Sequence, residues 1–273
     1  MIGRLKLAYV TLELRHVPAW HAFLQGLLEA PALAAAQRHL RVQAGKADDI
    51  AAVGLELADE AARAELAARL GRAGVASSDV DGKLVFHDPL GTRIEAAVAD
   101  AGTQDDTGFG HVVLAARDLA TMECFYVGAL GLGVTERLAA RVGPLDVRGT
   151  FLHCNPRHHS IALLDLPQRR RLNHLMLEAG SLREVLRAHD RARAGRMPFS
   201  LELGEHPDPD ATLSFYLRTP AGFDLEIGAG GREIQPAGWR EGSQSTTSAW
   251  GHSPTLGLKL RAAANLLAAR LGA

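Results

Sequence analysis

Two histidines and a glutamate, His111, His174 and Glu226, stand in segments that each read as a β-strand: GHVVLAA, NHLMLE and FDLEIG. Two imidazoles and one carboxylate are the donors of a metal site that holds one face of the ion and leaves its other positions open. Such a set suits Fe(II) and oxygen chemistry, because substrate and O2 can take the open positions together. A lone strand histidine ordinarily marks nothing more than a hydrogen-bonded side chain. An internal repeat, which supplies a control within the chain, lifts these three above that reading.

Residues 8–28, AYVTLELRHVPAWHAFLQGLL, align without gaps with residues 110–130, GHVVLAARDLATMECFYVGAL, and bring Arg15 onto Arg117 and Phe23 onto Phe125. DPLGTRIE (88–95) likewise matches TPAGFDLE (219–226), and the segment from Ile50 parallels that from Asn173. In this frame His111 stands opposite Tyr9, His174 opposite Ala52, and Glu226 opposite Glu95. Both imidazoles are thus confined to the C-terminal half. Glu95, with no histidine at either matching position, reads as a structural or solubilising residue.

The elements that must position these groups follow from the same repeat. Each copy reads as an alternating strand, a short turn and a helix with apolar residues recurring at three and four. In the copy after residue 110, Leu119, Met122, Phe125, Tyr126 and Leu130 share one face and Gly131 ends the helix. Four strand-helix-strands modules result, near residues 5–45, 48–99, 108–166 and 171–231. They pair as two domains, 1–100 and 107–231, with AGTQDDTG as a polar linker. The first module is short and Ala-rich, and residues 29–49 carry little strand signal. A tail over 232–273 has a Gly, Ser and Thr cluster and then LGLKLRAAANLLAARL, which reads as a terminal helix docking on its own subunit.

With 273 residues, 47% hydrophobic and 22% charged, the chain can bury a substantial core. Thirty basic residues against 31 acidic ones leave a net charge of -1, without the footprint expected of a protein held on nucleic acid or anionic lipid. A small neutral or anionic ligand is the expected partner. Cys124 and Cys154 are too few for a disulfide framework, and MIGRLKLAYV lacks a long apolar segment. A soluble, cytoplasmic protein is therefore expected.

The segments GHVVLAARDL, FLHCNPRHHSIALLDL, LNHLMLEAGSL and SFYLRTPAGFDLEIG resemble the type I extradiol catechol dioxygenases of the vicinal oxygen chelate superfamily. The resemblance covers nearly all of residues 108–231 and, more faintly, the N-terminal half. It implies an α+β, glyoxalase-like fold of four βαβββ modules paired into two open barrels, with the metal in the C-terminal one. It also implies His111, His174 and Glu226 as ligands of Fe(II), a donor set that Mn(II) accepts too. Three further residues are implied around the substrate. The R-H/D-H-S/T motif gives a catalytic proton-transfer histidine at His159, the G-x-H before the last hairpin gives His206, and S-F-Y gives Tyr216. The last two would donate hydrogen bonds to catecholate oxygen.

Strand alternation lets only one of His158 and His159 enter the site, and His159 is favoured. His153, His189 and His252 match no ligand position and read as surface or core hydrogen-bonding residues, and Cys154 as a small buried hydrophobe. The implied activity is O2-dependent ring cleavage of a substituted or bicyclic catechol in aromatic compound degradation, by a homo-oligomer whose partners are catechol and O2. Two rivals stand beside it. A glyoxalase-type isomerase would use the same fold with another ligand set, and a non-catalytic protein sequestering an aromatic ligand would need no three metal ligands. Between His206 and Tyr216 the chain reads PDPDATLSF, one residue longer than the family's T-N-D pattern and with two prolines. The loop Pro207–Ala211 is therefore expected to be stiff and to act on substrate selection.

Overall fold

The structure, a computed structural model, describes residues 1–99, 108–142, 145–234 and 239–270. Of the expected linker only Gly108 falls within them.

The first repeat copy forms β1 (Leu5–Leu14), α1 (Val17–Gln25), α2 (Pro31–Ala36) and β2 (Leu40–Ala44). The second forms β3 (Asp49–Leu57), α3 (Glu60–Arg72), β4 (Ser77–Val80), β5 (Lys83–His87) and β6 (Arg93–Val98). The third forms β7 (Phe109–Ala115), α4 (Leu119–Glu123), which widens into a π turn through Ala129, then β8 (Gly133–Val142), β9 (Leu145–His153) and β10 (Ile161–Leu164). The fourth forms β11 (Leu172–Glu178), α5 (Leu182–Ala194), β12 (Phe199–Glu205), β13 (Leu213–Arg218) and β14 (Asp224–Ala229). The tail adds β15 (Gly242–Gln244) and the expected helix, α6 (Leu256–Arg270).

Two sheets result, ordered β2-β1-β3-β6-β5-β4 and β12-β13-β14-β11-β7-β10-β9-β8-β15. The repeat relates them. β1 and β3 run antiparallel as β7 and β11 do, and β3 and β6 run parallel as β11 and β14 do. The parallel pair of β1 and β2 answers to that of β7 and β10. The mixed α+β architecture expected from the sequence is therefore present, but the first module stops at two strands and has no counterpart of β8 and β9 among the described residues. The cause is local: PALAAA has a proline at its first position and the best helix former at four of its six positions, so it winds into α2 where a hairpin would otherwise begin.

One contiguous apolar core joins both halves. Trp20 of α1, 1% exposed, sets its ring 5.6 Å from that of Phe223 at the start of β14. Gly108, at φ +96, lies so close to α2 that a Cβ there would sit 2.8 Å from the Ala32 carbonyl oxygen. Polar ties cross as well. The Tyr126 hydroxyl donates to Asp88 at 3.1 Å, and the amides of Arg171 and Leu172 donate to the Asp49 carboxylate at 2.9 and 2.8 Å. The start of β11 is thereby fixed to the other sheet, directly before His174.

Candidate metal centre and active site

Four neighbouring strands of the larger sheet, β13-β14-β11-β7, carry Tyr216, Glu226, His174 and His111 in that order. Register puts Met176 opposite both His111 and Glu226, and Tyr216 opposite Glu226. His174, two residues from Met176, faces the same side. The smaller sheet repeats this register: Gly54 lies opposite both Tyr9 and Glu95. The match of His111 with Tyr9, His174 with Ala52 and Glu226 with Glu95, read from the sequence, is thus the match of the folded strands.

The three donor atoms converge. His111 Nε2 and His174 Nε2 lie 3.2 Å apart, and 3.0 and 3.4 Å from Glu226 Oε2. Glu226 is fully buried, yet its Oε2 has no hydrogen-bond partner. Two ring nitrogens and a carboxylate oxygen at these spacings fit a shared divalent cation, which would satisfy all three at once. His174 is prepared for this: its Nδ1 meets Asn173 Oδ1 at 2.8 Å, which holds the ring proton there and leaves Nε2 its lone pair. Burial works against the Glu226 anion, but the imidazoles of His111, His174 and His206 outweigh it and hold its pKa well below the usual carboxylate range.

Around this triad stand the other three expected residues. The His159 ring lies 4.0 Å from that of His111, centroid to centroid. Burial, reinforced by His111 and His158, keeps it neutral by lowering its pKa well below the ordinary value. His206 Nε2 meets the Tyr216 hydroxyl at 2.9 Å and Glu226 Oε1 at 3.3 Å, while Nδ1 donates to the Thr247 carbonyl at 2.7 Å. Burial opposes its charge, but the hydrogen bond to Glu226 and the carboxylates of Asp210 and Glu226 lift its pKa to about 9. Burial, with Glu226 adding, raises the Tyr216 phenol well above 10. The Pro207–Ala211 loop is closed at its base, where the His206 amide donates to Thr212 O at 2.9 Å.

One expectation needs correction. His158 and His159 lie in the bend between β9 and β10, not on a strand, so alternation does not apply and both are buried. His158 turns from the triad towards Glu136. His153 is hydrogen-bonded in the core to the Thr135 hydroxyl at 2.7 Å, and His189 packs its ring edge-on against Phe199 and Phe215. His252 is buried with its Nε2 3.2 Å from Ser214 Oγ, and Cys154 is buried as expected. The tail holds more than the expected helix. Its preceding segment also runs along β12, bridging Leu201 to Pro254 and Glu205 to Trp250, and supplies the acceptor for His206.

Residues 108–227 match the model of the glyoxalase/bleomycin resistance protein/dioxygenase superfamily. Among curated proteins, a biphenyl-2,3-diol 1,2-dioxygenase of a Pseudomonas species is 35% identical, over 92% of this chain and 98% of its own. An iron-dependent extradiol dioxygenase of Rhodococcus jostii is 31% identical, over 93% and 98%. The crystal structure of a halotolerant catechol dioxygenase superposes with a TM-score of 0.79 at 28% identity, covering 91% of this chain and 94% of that one.

Proposed function

From the premise that the chain belongs to the extradiol ring-cleaving dioxygenases of the glyoxalase/bleomycin resistance protein/dioxygenase superfamily, we propose that His111, His174 and Glu226 hold its iron and that its substrate is a substituted or bicyclic catechol. The observation that carries the ligand assignment is the triangle of Nε2, Nε2 and Oε2 atoms at 3.0 to 3.4 Å around a buried carboxylate oxygen with no hydrogen-bond partner. The substrate class is supported by the relatives named for biphenyl-2,3-diol.

Iron(II) held by His111, His174 and Glu226 would supply a redox-active Lewis acid for the reaction of a catechol with O2, in which the ring bond beside the diol breaks and both oxygen atoms stay in the product. The protein's own groups bind, orient and handle protons. Tyr216, its phenol kept protonated by burial, and His206, charged near neutral pH, are hydrogen-bond donors for the catechol oxygens. Neutral His159 is available to take a substrate proton and return it later. The loop Pro207–Ala211, which carries Asp210 towards His158, bears on which ring is accepted. The reading includes a cytoplasmic homo-oligomer, in keeping with the near-zero net charge and the two cysteines.

Iron analysis together with oxygen uptake on a panel of monocyclic and bicyclic catechols tests this reading. His174→Ala, prepared without oxygen, is expected to lose iron and turnover, while His159→Gln keeps iron and loses about two to four orders of magnitude in turnover. Full iron and turnover in His174→Ala would end the ligand assignment.

A further inference from the structure

β8 breaks its alternation at one place. Its register against β9 slips between Val134 and Glu136, and this bulge turns two successive side chains, Thr135 and Glu136, inward. Bulges beside active sites commonly re-aim a side chain. A carboxylate buried at 4% exposure costs stability unless partners receive it. Glu136 Oε2 takes two: His158 Nε2 at 3.1 Å and the Gln244 amide of β15.

Beyond His158 the chain of contacts continues. His158 Nδ1 lies 3.0 Å from His159 Nδ1. Asp210 Oδ2, at 3.9 Å, is beyond hydrogen-bond reach, and the other oxygen of that carboxylate accepts from the Thr212 hydroxyl at 2.6 Å. A hydrogen bond between two facing ring nitrogens needs one proton, on one of them. Burial keeps His158 neutral, its pKa lowered to about 4, so its ring holds a single proton. An ionised Glu136 draws that proton to Nε2, and Nδ1 is left as an acceptor. His159 must then donate from its own Nδ1, and its Nε2 keeps the lone pair.

We propose that Glu136 is a positioning residue that, acting through His158, fixes the tautomer of His159 with Nε2 unprotonated. The proposal rests on the reading of His159 as the proton-transfer residue. When Glu136 is protonated the chain reverses: Glu136 donates to His158 Nε2, His158 donates from Nδ1, and the His159 proton sits on Nε2. Burial and the Asp210 charge raise the Glu136 pKa to about 7, with the Gln244 amide opposing. The competent tautomer is therefore present above that pH and lost as pH falls through it. The other titratable groups facing Glu136 and His158 are Asp210 from the β12–β13 loop, His206 just after β12, His111 on β7 and His153 on β9.

Neutron diffraction of the iron-loaded protein at pH 8 reads the protons directly, and the expected density lies on His158 Nε2 and His159 Nδ1. Glu136→Gln is expected to keep its iron, lower kcat about 10- to 100-fold with little change in KM, and abolish the acid limb of the kcat profile. Gln244→Leu, which leaves the carboxylate in place, should move that limb to higher pH. A proton on His159 Nε2 at pH 8, or an acid limb untouched by both variants, would overturn the proposal. Full turnover of His159→Gln with the expected proton positions would instead overturn the acid-base reading and leave the tautomer assignment standing.

Discussion

His174 presents its Nε2 to the candidate metal position because its other nitrogen is committed. Asn173 Oδ1 meets Nδ1 at 2.8 Å, and the Asn173 amide donates in turn to Gln168 Oε1 at 3.1 Å, so ring orientation and tautomer are set together. Asn173→Ala should weaken iron binding about 10- to 100-fold while leaving the fold intact. Anaerobic titration of the metal-free variant, beside its thermal melt, measures this, and an unchanged affinity would mean the ring is held by other contacts. The structure brings the six candidate residues together: the repeat exposed His111 and His174 as mismatches, and the motifs pointed to the other four. Asn173, Glu136 and Thr247 were not legible in the sequence. Their roles depend on which ring nitrogen they face, and a bulge or a backbone carbonyl leaves no trace in residue type or period. For His158 the sequence reading reaches the right side chain on the wrong ground: it stays out of the triad, but in a bend rather than by strand alternation.

The N-terminal copy shows what the same strands do without histidines. Glu95 on β6 accepts from the Tyr9 hydroxyl on β1, the Lys83 ammonium on β5 at 2.9 Å and Arg93 at 2.8 Å. Side-chain cations thus stand where the other sheet gathers metal-binding donors. Ala52 leaves room there, and the Tyr9 ring lies over Gly54, where a Cβ would come within 2.2 Å of it. Burial pushes the Glu95 pKa up, but these donors outweigh it and bring it to about 2 from 4.5. A depressed carboxylate pKa stabilises the fold above its unfolded value, and the gain is lost as pH falls through the folded value. Glu95→Gln should therefore cost about 2 kcal/mol at neutral pH and flatten the loss of stability between pH 4.5 and pH 2, with iron content unchanged. Urea denaturation across that range decides it, and a parallel curve for the variant would show that the cluster adds nothing. The sequence placed all four modules but not the loss of two strands from the first, because weak strand signal in residues 29–49 does not say whether a helix replaces the hairpin.

The whole molecule departs from its repeat at the tail, and the site depends on that departure. The four modules supply the triad and the three residues assigned around it, yet the acceptor that holds His206 is the Thr247 carbonyl, the ring 4.6 Å from that of His206 is His252, and the amide beside Glu136 is Gln244 of β15. The segment is tied down at several points. β15 pairs in parallel with β8, the Trp250 indole donates to the Glu205 carboxylate at 2.6 Å, and the Glu205 amide donates to Trp250 O at 3.0 Å. Glu205 directly precedes His206, so the tail fixes that histidine through both its ring and its backbone. None of the three strand-borne donors of the triad takes a hydrogen bond from the tail among the described residues. Metal binding and catechol positioning should therefore separate when the tail is removed. Ending the chain at residue 238 is expected to leave iron bound and lower kcat/KM at least about tenfold, since His206 loses the contact that orients its ring. Iron per chain, steady-state oxygen uptake and the melting temperature are read on the same preparation. Loss of iron in a chain that still melts cooperatively would show instead that the tail supports the ligand strands, and unchanged turnover would show that the loop from Pro207 to Ala211 holds His206 without it.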